Sequence, residues 1–246
     1  MTPNASRLLQ RWDLPASFWK TVAEPAYVAV RRYSDGKLLA LDEGFDRKMR
    51  ERYKSPFIDV HRVDLHSALA NRARQLGVKL RLGQRVKNVD FSTPAIETEA
   101  GVTAKADLVI AADGIWSTCR HHFLDIKDFP RPTGDLAYRV ALTLDEIDDP
   151  ELRDIVRKPG SNFWIGPGSH VAAYSVRSGT MYNIVLIVPD DLPEGVRRQP
   201  GSVEQMRALF EGWDPILNRF LSYVKSVHKW KLMHREFLSY WCLQFW

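Results

Sequence analysis

The chain has 246 residues and a formal net charge of +5, from 35 Lys and Arg against 30 Asp and Glu. Hydrophobic residues make up 45% and charged residues 26%, ordinary globular proportions that exclude a disordered, collagen-like or coiled-coil chain. The length fits one large domain or two small ones at roughly 150 residues per domain, and no apolar run approaches the roughly 18 residues of a membrane-spanning helix.

The N-terminus, Met1-Thr2-Pro3-Asn4, has no basic head followed by an apolar core, so no secretory leader is read there. Leu8, Leu9 and Trp12 follow at helical spacing, with Asn4 or Ser6 as the expected N-cap. Tyr27–Tyr33 and Lys37–Leu41 flank Ser34-Asp35-Gly36, a β-hairpin with glycine supplying the positive φ of the turn. The charged run Arg47–Lys54 carries interspersed cations and Tyr53, a crude nucleic-acid footprint. Glu43, Asp46 and Glu51 interrupt it, so it is read as a solvated loop with no nucleic-acid partner.

From Arg62 to Leu76 the apolar positions Val63, Leu65, Leu69, Ala73 and Leu76 repeat at three and four residues. That predicts a helix with Asp64 in its first turn and Gly77 after its end. Val78–Leu82 alternates like a half-buried strand, and short strands follow near Val86–Phe91 and Ala95–Thr98. Asp107–Ala112 is a continuous apolar run, expected to be a strand covered on both faces. It breaks at Asp113-Gly114 and resumes as a short helix near Ser117–Phe123. Past Pro130-Arg131-Pro132 the pattern changes to antiparallel strands at Leu136–Leu144, Asn162–Ile165, Val171–Val176 and Met181–Val188, with helices at Asp149–Val156 and Ser202–Phe220, the second broken near Pro215. Cys119 and Cys242 are the only cysteines and the His spacing offers no metal motif. A reducing, cytoplasmic compartment and no metal are therefore expected.

The most informative segment is Asp107 to Arg120. A carboxylate and a residue without Cβ fall at the carboxyl end of an expected strand, where open α/β sheets bind nucleotides. Gly114 lets a ligand approach the backbone, the following helix N-terminus presents free N–H groups to an anion such as a pyrophosphate, and Asp113 can accept from a ribose or ribityl hydroxyl. The same residues also read as a plain strand–turn–helix. Upstream, Arg62 opens a helix, where a cation opposes the dipole. It reads either as reaching an anion or carbonyl or as a solvated end residue.

His61-Arg62-x-x-Leu65, Gly83-Gln84-Arg85-Val86 and Asp107–Ala112 running into Asp113-Gly114-x-x-Ser117-x-x-Arg120 together resemble the salicylate-hydroxylase-like FAD-dependent aromatic-ring monooxygenases. Gly134–Arg139 and Tyr182–Val185 match the family's substrate-domain strands more weakly. The resemblance implies that Arg62 contacts the flavin, that Val86 offers backbone contacts near the adenine, and that Asp113 and Gly114 belong to a motif shared by FAD and NAD(P)H binding. It further implies that Arg139 projects toward the flavin ring and substrate, orienting a phenolate or carboxylate, and that Tyr174 lines the substrate pocket. Read without the resemblance, Arg139 is a strand-surface residue and Tyr174 is core packing; Trp164 is read as core.

The family's Gly-x-Gly-x-x-Gly strand–helix unit and its Gly-Asp-Ala motif are not found, so the chain is expected to be truncated at both ends. The expected fold is α/β, with a partial FAD-binding Rossmann-like domain over 1–130, a β-rich substrate-binding domain over 131–236 and an atypical apolar tail over 237–246. The implied activity is an NAD(P)H-consuming monooxygenation, with O2, of an aromatic or other electron-rich small molecule. The alternative is a folded remnant that is inactive or binds a partner.

Overall fold

The computed structural model describes residues 1–124 and 128–238. In chain order the elements are α1 (Pro3–Arg11), α2 (Ala16–Trp19), β1 (Tyr27–Arg32), β2 (Leu38–Glu43), α3 (Phe45–Tyr53), α4 (Arg62–Gln75), β3 (Val86–Asp90), β4 (Ala95–Thr98), β5 (Thr103–Lys105), α5 (Cys119–Leu124) and β6 (Arg131–Thr143). They continue as α6 (Pro150–Arg157), β7 (Ser161–Gly166), β8 (Ser169–Val176), β9 (Met181–Pro189), β10 (Arg198–Gly201), α7 (Val203–Leu209), α8 (Pro215–Ser222) and β11 (Val227–His234). The chain divides into two compact units: Met1–Val78 with Gly134–Lys231, and Lys79–Thr133 with the segment from Leu232 onward. The first 78 residues thus fall in one compact unit with residues 134–231.

In the first unit an eight-stranded sheet has the order β10-β11-β6-β9-β8-β7-β1-β2. β1 runs parallel to β7, while β1–β2, β7–β8, β8–β9 and β6–β9 are antiparallel. Strand alternation fixes which side is buried. Tyr182, Ile184, Leu186 and Val188 of β9 and Val171 and Ala173 of β8 face Leu152 and Val156 of α6, Met206 of α7, and Leu217, Phe220 and Leu221 of α8. Tyr182 stacks on Phe220 at 4.7 Å between ring centroids. Trp164 is core, as expected, and its indole N–H donates to Asp214 Oδ2 at 2.6 Å. A second core joins Leu9 of α1, Leu14 of the α1–α2 connection, Phe18 of α2, Ile58 of the segment before α4, and Ala68 of α4.

The second unit contains the antiparallel sheet β3-β4-β5. Phe91 meets Phe123 of α5 edge-on at 6.1 Å.

Several expectations are corrected. Val78–Leu82 and Asp107–Ala112 form no strand; Leu108 is 72% and Ile110 78% exposed. A strand buried on both faces needs hydrogen-bonded neighbours, and no strand among the described residues pairs with either segment. Arg47–Lys54 is solvated but not a loop. It lies in α3, where Asp46 in the first turn and Arg50 and Arg52 in the last match the helix dipole and Arg47 reaches Glu51 one turn on at 3.8 Å. Thr2, not Asn4 or Ser6, precedes α1, which starts on Pro3, and Ser6 is buried with its hydroxyl donating to the Pro56 carbonyl. On α4 the stripe is rotated: Val63 and Leu76 are exposed while Ala68 is buried, beside Leu65 and Leu69. The tail beyond Leu238, with Cys242, lies outside the described residues.

Candidate functional site

One face of the large sheet is covered by α6, α7 and α8, and the strand registers decide what the other presents. Arg139, Val185, Ala172, Phe163 and Val30 stand in one cross-strand row, and Ala141, Asn183, Tyr174, Ser161 and Val28 in the next. None of these belongs to the helix-covered core. Arg139 and Tyr174, both singled out in the sequence, therefore share this face, two strands apart, or roughly 10 Å at normal strand spacing. Tyr174, next to the buried Ala173 on β8, stands on the side opposite the helix-covered core.

Arg139 is exposed, and its guanidinium carbon lies 5.4 Å from the centroid of Trp230. Arg198, directly across from Trp230 in the β10–β11 ladder, approaches the same ring at 4.4 Å. Such contacts hold a guanidinium in place without neutralising it. Toward the other end of the face, the Ser161 hydroxyl donates to Asp59 Oδ2 at 3.2 Å. Burial pushes the Asp59 carboxyl up to about 6, against the opposing pull of the Met1 ammonium and of Ser161. Burial also raises the Tyr174 phenol, helped by the Asp59 charge and opposed by Arg139. Val30, Phe163, Ile165 and His170 line an open, mostly apolar cleft of about 550 Å³ on this side of the sheet.

In the second unit, the Asp113-Gly114 turn is ordered by its own side chains. Asp113 Oδ2 accepts from the Thr118 N–H at 2.9 Å and the Cys119 N–H at 3.1 Å, and Ser117 Oγ accepts from the Arg120 N–H at 2.9 Å. Burial works to raise the Asp113 carboxyl, but these hydrogen bonds from the Ser117–Cys119 segment hold it below the usual carboxylate range. The first amides of α5 are thus satisfied internally. This corrects the expectation that they lie free for a pyrophosphate. Gly114 has φ +72°, and a Cβ there would meet nothing within 4 Å. The space beside the Gly114 backbone is open, and α5 offers no free first amides to a phosphate. The Cys119 thiol, buried beside Asp113, is pushed up to about 11, mainly by burial.

Arg62 and Val86 are the other two residues assigned from the sequence. Arg62 is the exposed first residue of α4, whose Asp64 accepts a forked pair from Arg177 at 2.8 and 2.9 Å. His61, just before it, holds the one buried side-chain polar atom without a hydrogen-bond partner among the described residues, Nδ1, which lies 4.0 Å from Asp64 Oδ2. Val86 opens β3, half-buried and paired with Thr98. Sequence reasoning missed Asp59 and Trp230. The signal for Asp59 was a single carboxylate between Ile58 and Val60 just ahead of the His61-Arg62 motif.

A sequence profile described as FAD dependent oxidoreductase matches residues 11–232. The chain belongs to this family. Among its relatives is an FAD-dependent monooxygenase, OpS4, of Beauveria bassiana, 46% identical over 245 residues, covering 98% of this chain and 57% of the relative. The 3-amino-4-hydroxybenzoate 2-monooxygenase of Streptomyces cremeus is 30% identical over 96% of this chain and 57% of the relative. The chain thus spans little more than half the length of these relatives. Among solved structures, a salicylate hydroxylase substrate complex superposes with a TM-score of 0.72 at 20% identity, over 95% of this chain and 60% of that one. The FAD-bound CtdE structure reaches 0.78 at 18%, over 95% and 58%. The mixed α/β fold is that of the FAD-dependent oxidoreductases, and the relatives are its monooxygenases. No helix among the described residues is long and apolar enough to cross a membrane.

Proposed function

We propose that this chain forms the substrate-binding sheet and part of the cofactor-binding surface of an FAD-dependent, NAD(P)H-consuming monooxygenase acting on an aromatic or other electron-rich small molecule. The observation that carries the reading is the sheet face opposite the helix-covered core, on which Arg139 and Tyr174 stand together. It combines a fixed, un-neutralised cation, a phenol and an apolar cleft, the usual makeup of a site for a small ring bearing one polar group. Four residues are assigned to FAD: Arg62, Val86, Asp113 and Gly114. When bound, the flavin supplies the electrons and, with O2, the transferred oxygen.

The protein's own residues bind and orient. Arg139, held by Trp230, ion-pairs a phenolate or carboxylate of the substrate and fixes which ring carbon is presented. Tyr174, like any tyrosine phenol, holds its proton at neutral pH, and burial and Asp59 raise it further, so it acts as a hydrogen-bond donor. Val30, Phe163 and Ile165 supply apolar surface that displaces water.

The test is a flavin titration of the purified chain followed by NAD(P)H oxidation with and without hydroxybenzoates. Arg139→Ala is expected to lower substrate-stimulated oxidation by about tenfold or more, the value of one charge-assisted contact, while leaving flavin content within about twofold. Equal loss of both makes Arg139 a folding residue. Flavin binding without any stimulated oxidation favours the inactive remnant.

A further inference from the structure

Within the second unit, segments far apart in sequence converge on one carboxylate. Asp128 Oδ2 accepts from Arg120 Nε and from Arg235 Nη1, the latter at 2.8 Å. The three side chains are nearly enclosed: Arg235 is 8% exposed, Arg120 12% and Asp128 17%. Arg235 does more than answer that charge. Its Nε donates to the Ile115 carbonyl at 2.6 Å, its Nη2 to the Ser117 carbonyl at 3.4 Å, and its Nη1 also to the Asp128 carbonyl at 2.7 Å. Arg120 in turn donates to the carbonyl of Glu236 at 2.8 Å, beside Arg235. One planar fork therefore grips both ends of the stretch that follows Gly114.

Charge compensation alone does not account for this arrangement. Asp128 is already paired with Arg120, so a second guanidinium adds a buried cation, which is unfavourable unless its donors find acceptors. Besides the Asp128 carbonyl, the acceptors it finds are main-chain carbonyls of the one-turn 3₁₀ helix Gly114–Trp116 and its cap Ser117. Short turns of this kind leave carbonyls unbonded. Only a rigid fork with donors pointing in several directions reaches them together; an ammonium is a point donor on a flexible stem.

We propose that Arg235 is a positioning residue for the flavin-binding turn: it fixes the Ile115 and Ser117 carbonyls and so sets the backbone surface at Gly114 against which the cofactor lies. The assignment rests on the flavin reading of that turn. Arg235 touches no reacting atom and acts through the turn.

Arg235→Lys is the informative variant, since it keeps a cation beside Asp128 and loses the fork. Arg235→Ala is the harsher companion, and its failure to fold leaves the lysine result decisive. The measurements are thermal unfolding, amide hydrogen exchange of the peptide spanning Gly114–Arg120, and the FAD dissociation constant from quenching of flavin fluorescence. In Arg235→Lys the expected melting midpoint lies within about 3 °C of the parent. The peptide is expected to exchange about tenfold faster or more, and FAD to bind about tenfold more weakly, a change of about 1.4 kcal/mol. Parent-like exchange, or parent-like FAD affinity, in Arg235→Lys overturns the assignment and leaves the flavin reading standing. A parent chain that quenches no flavin fluorescence overturns the flavin reading and this assignment with it.

Discussion

Asp59 shows how one buried carboxylate makes a site sensitive to pH. Its carboxyl is pushed up to about 6 by burial, whereas an unfolded-chain aspartate titrates near 3.9. The folded state therefore holds the proton over a range where the unfolded chain has released it. Stability associated with the neutral form is fully present below about pH 4 and is lost as pH rises through about 6. The groups facing Asp59 are Ser161, the Met1 ammonium and Tyr174, with Arg139 acting on Tyr174 from farther along the sheet. Asp59→Asn keeps an acceptor for Ser161 without the charge. It is expected to match the parent's unfolding midpoint at pH 4 and to exceed it at pH 7.5, by an amount of order 1–3 kcal/mol. Urea melts at the two pH values check this; a variant less stable at both shows that the ionised carboxylate is favourably held. In the sequence Asp59 showed only as a lone carboxylate between Ile58 and Val60, because its environment is assembled from Ala23, Ser161 and the N-terminus, none of which is a local neighbour.

At the scale of elements, the sequence was legible where burial follows the local period. β9 alternates Tyr182, Ile184, Leu186 and Val188 toward the core, as its pattern required, and β4 occupies Ala95–Thr98 as read. The broken helix near Pro215 resolves into α7 and α8, with Asp214 capping α8 by accepting from the Ile216 N–H at 2.9 Å. β10 and β11 were not legible, since Arg198–Gly201 and Val227–His234 are half-exposed strands without a clean alternation. Asp214 links three elements that no local pattern connects. It caps α8, takes the Trp164 indole N–H, and packs against the hairpin turn, where a Cβ on Gly36 (φ +69°) would meet its Oδ2 at 2.2 Å. Asp214→Ala removes a cap, of about 1 kcal/mol, and leaves a buried indole N–H unpaired, of about 1–3 kcal/mol. The expected loss is about 2–4 kcal/mol in a urea melt. A loss below about 1 kcal/mol shows that water replaces both contacts.

For the whole molecule, the sequence pattern identified the family and the α/β class, and it placed Arg139 and Tyr174 on strands without saying that they share a face. That fact is a matter of register between β6, β8 and β9, which only the assembled sheet fixes. The reverse holds for Asp107–Ala112. Its composition announces the capacity to be buried, and burial depends on partners that composition does not specify. Two large aliphatic side chains in one short segment are instead exposed, and contiguous apolar surface of this kind drives self-association. The chain is expected to aggregate in a concentration-dependent way near neutral pH, despite a net charge of +5 that favours solubility. Leu108→Lys combined with Ile110→Lys tests the source. Neither side chain belongs to either hydrophobic core, so the double variant is expected to keep the parent's near-ultraviolet circular dichroism and melting midpoint while light scattering at equal concentration falls severalfold. Scattering that stays at the parent's level with folding intact moves the source of association to another surface, with the exposed Leu38, Leu39 and Leu41 of the edge strand β2 next in line.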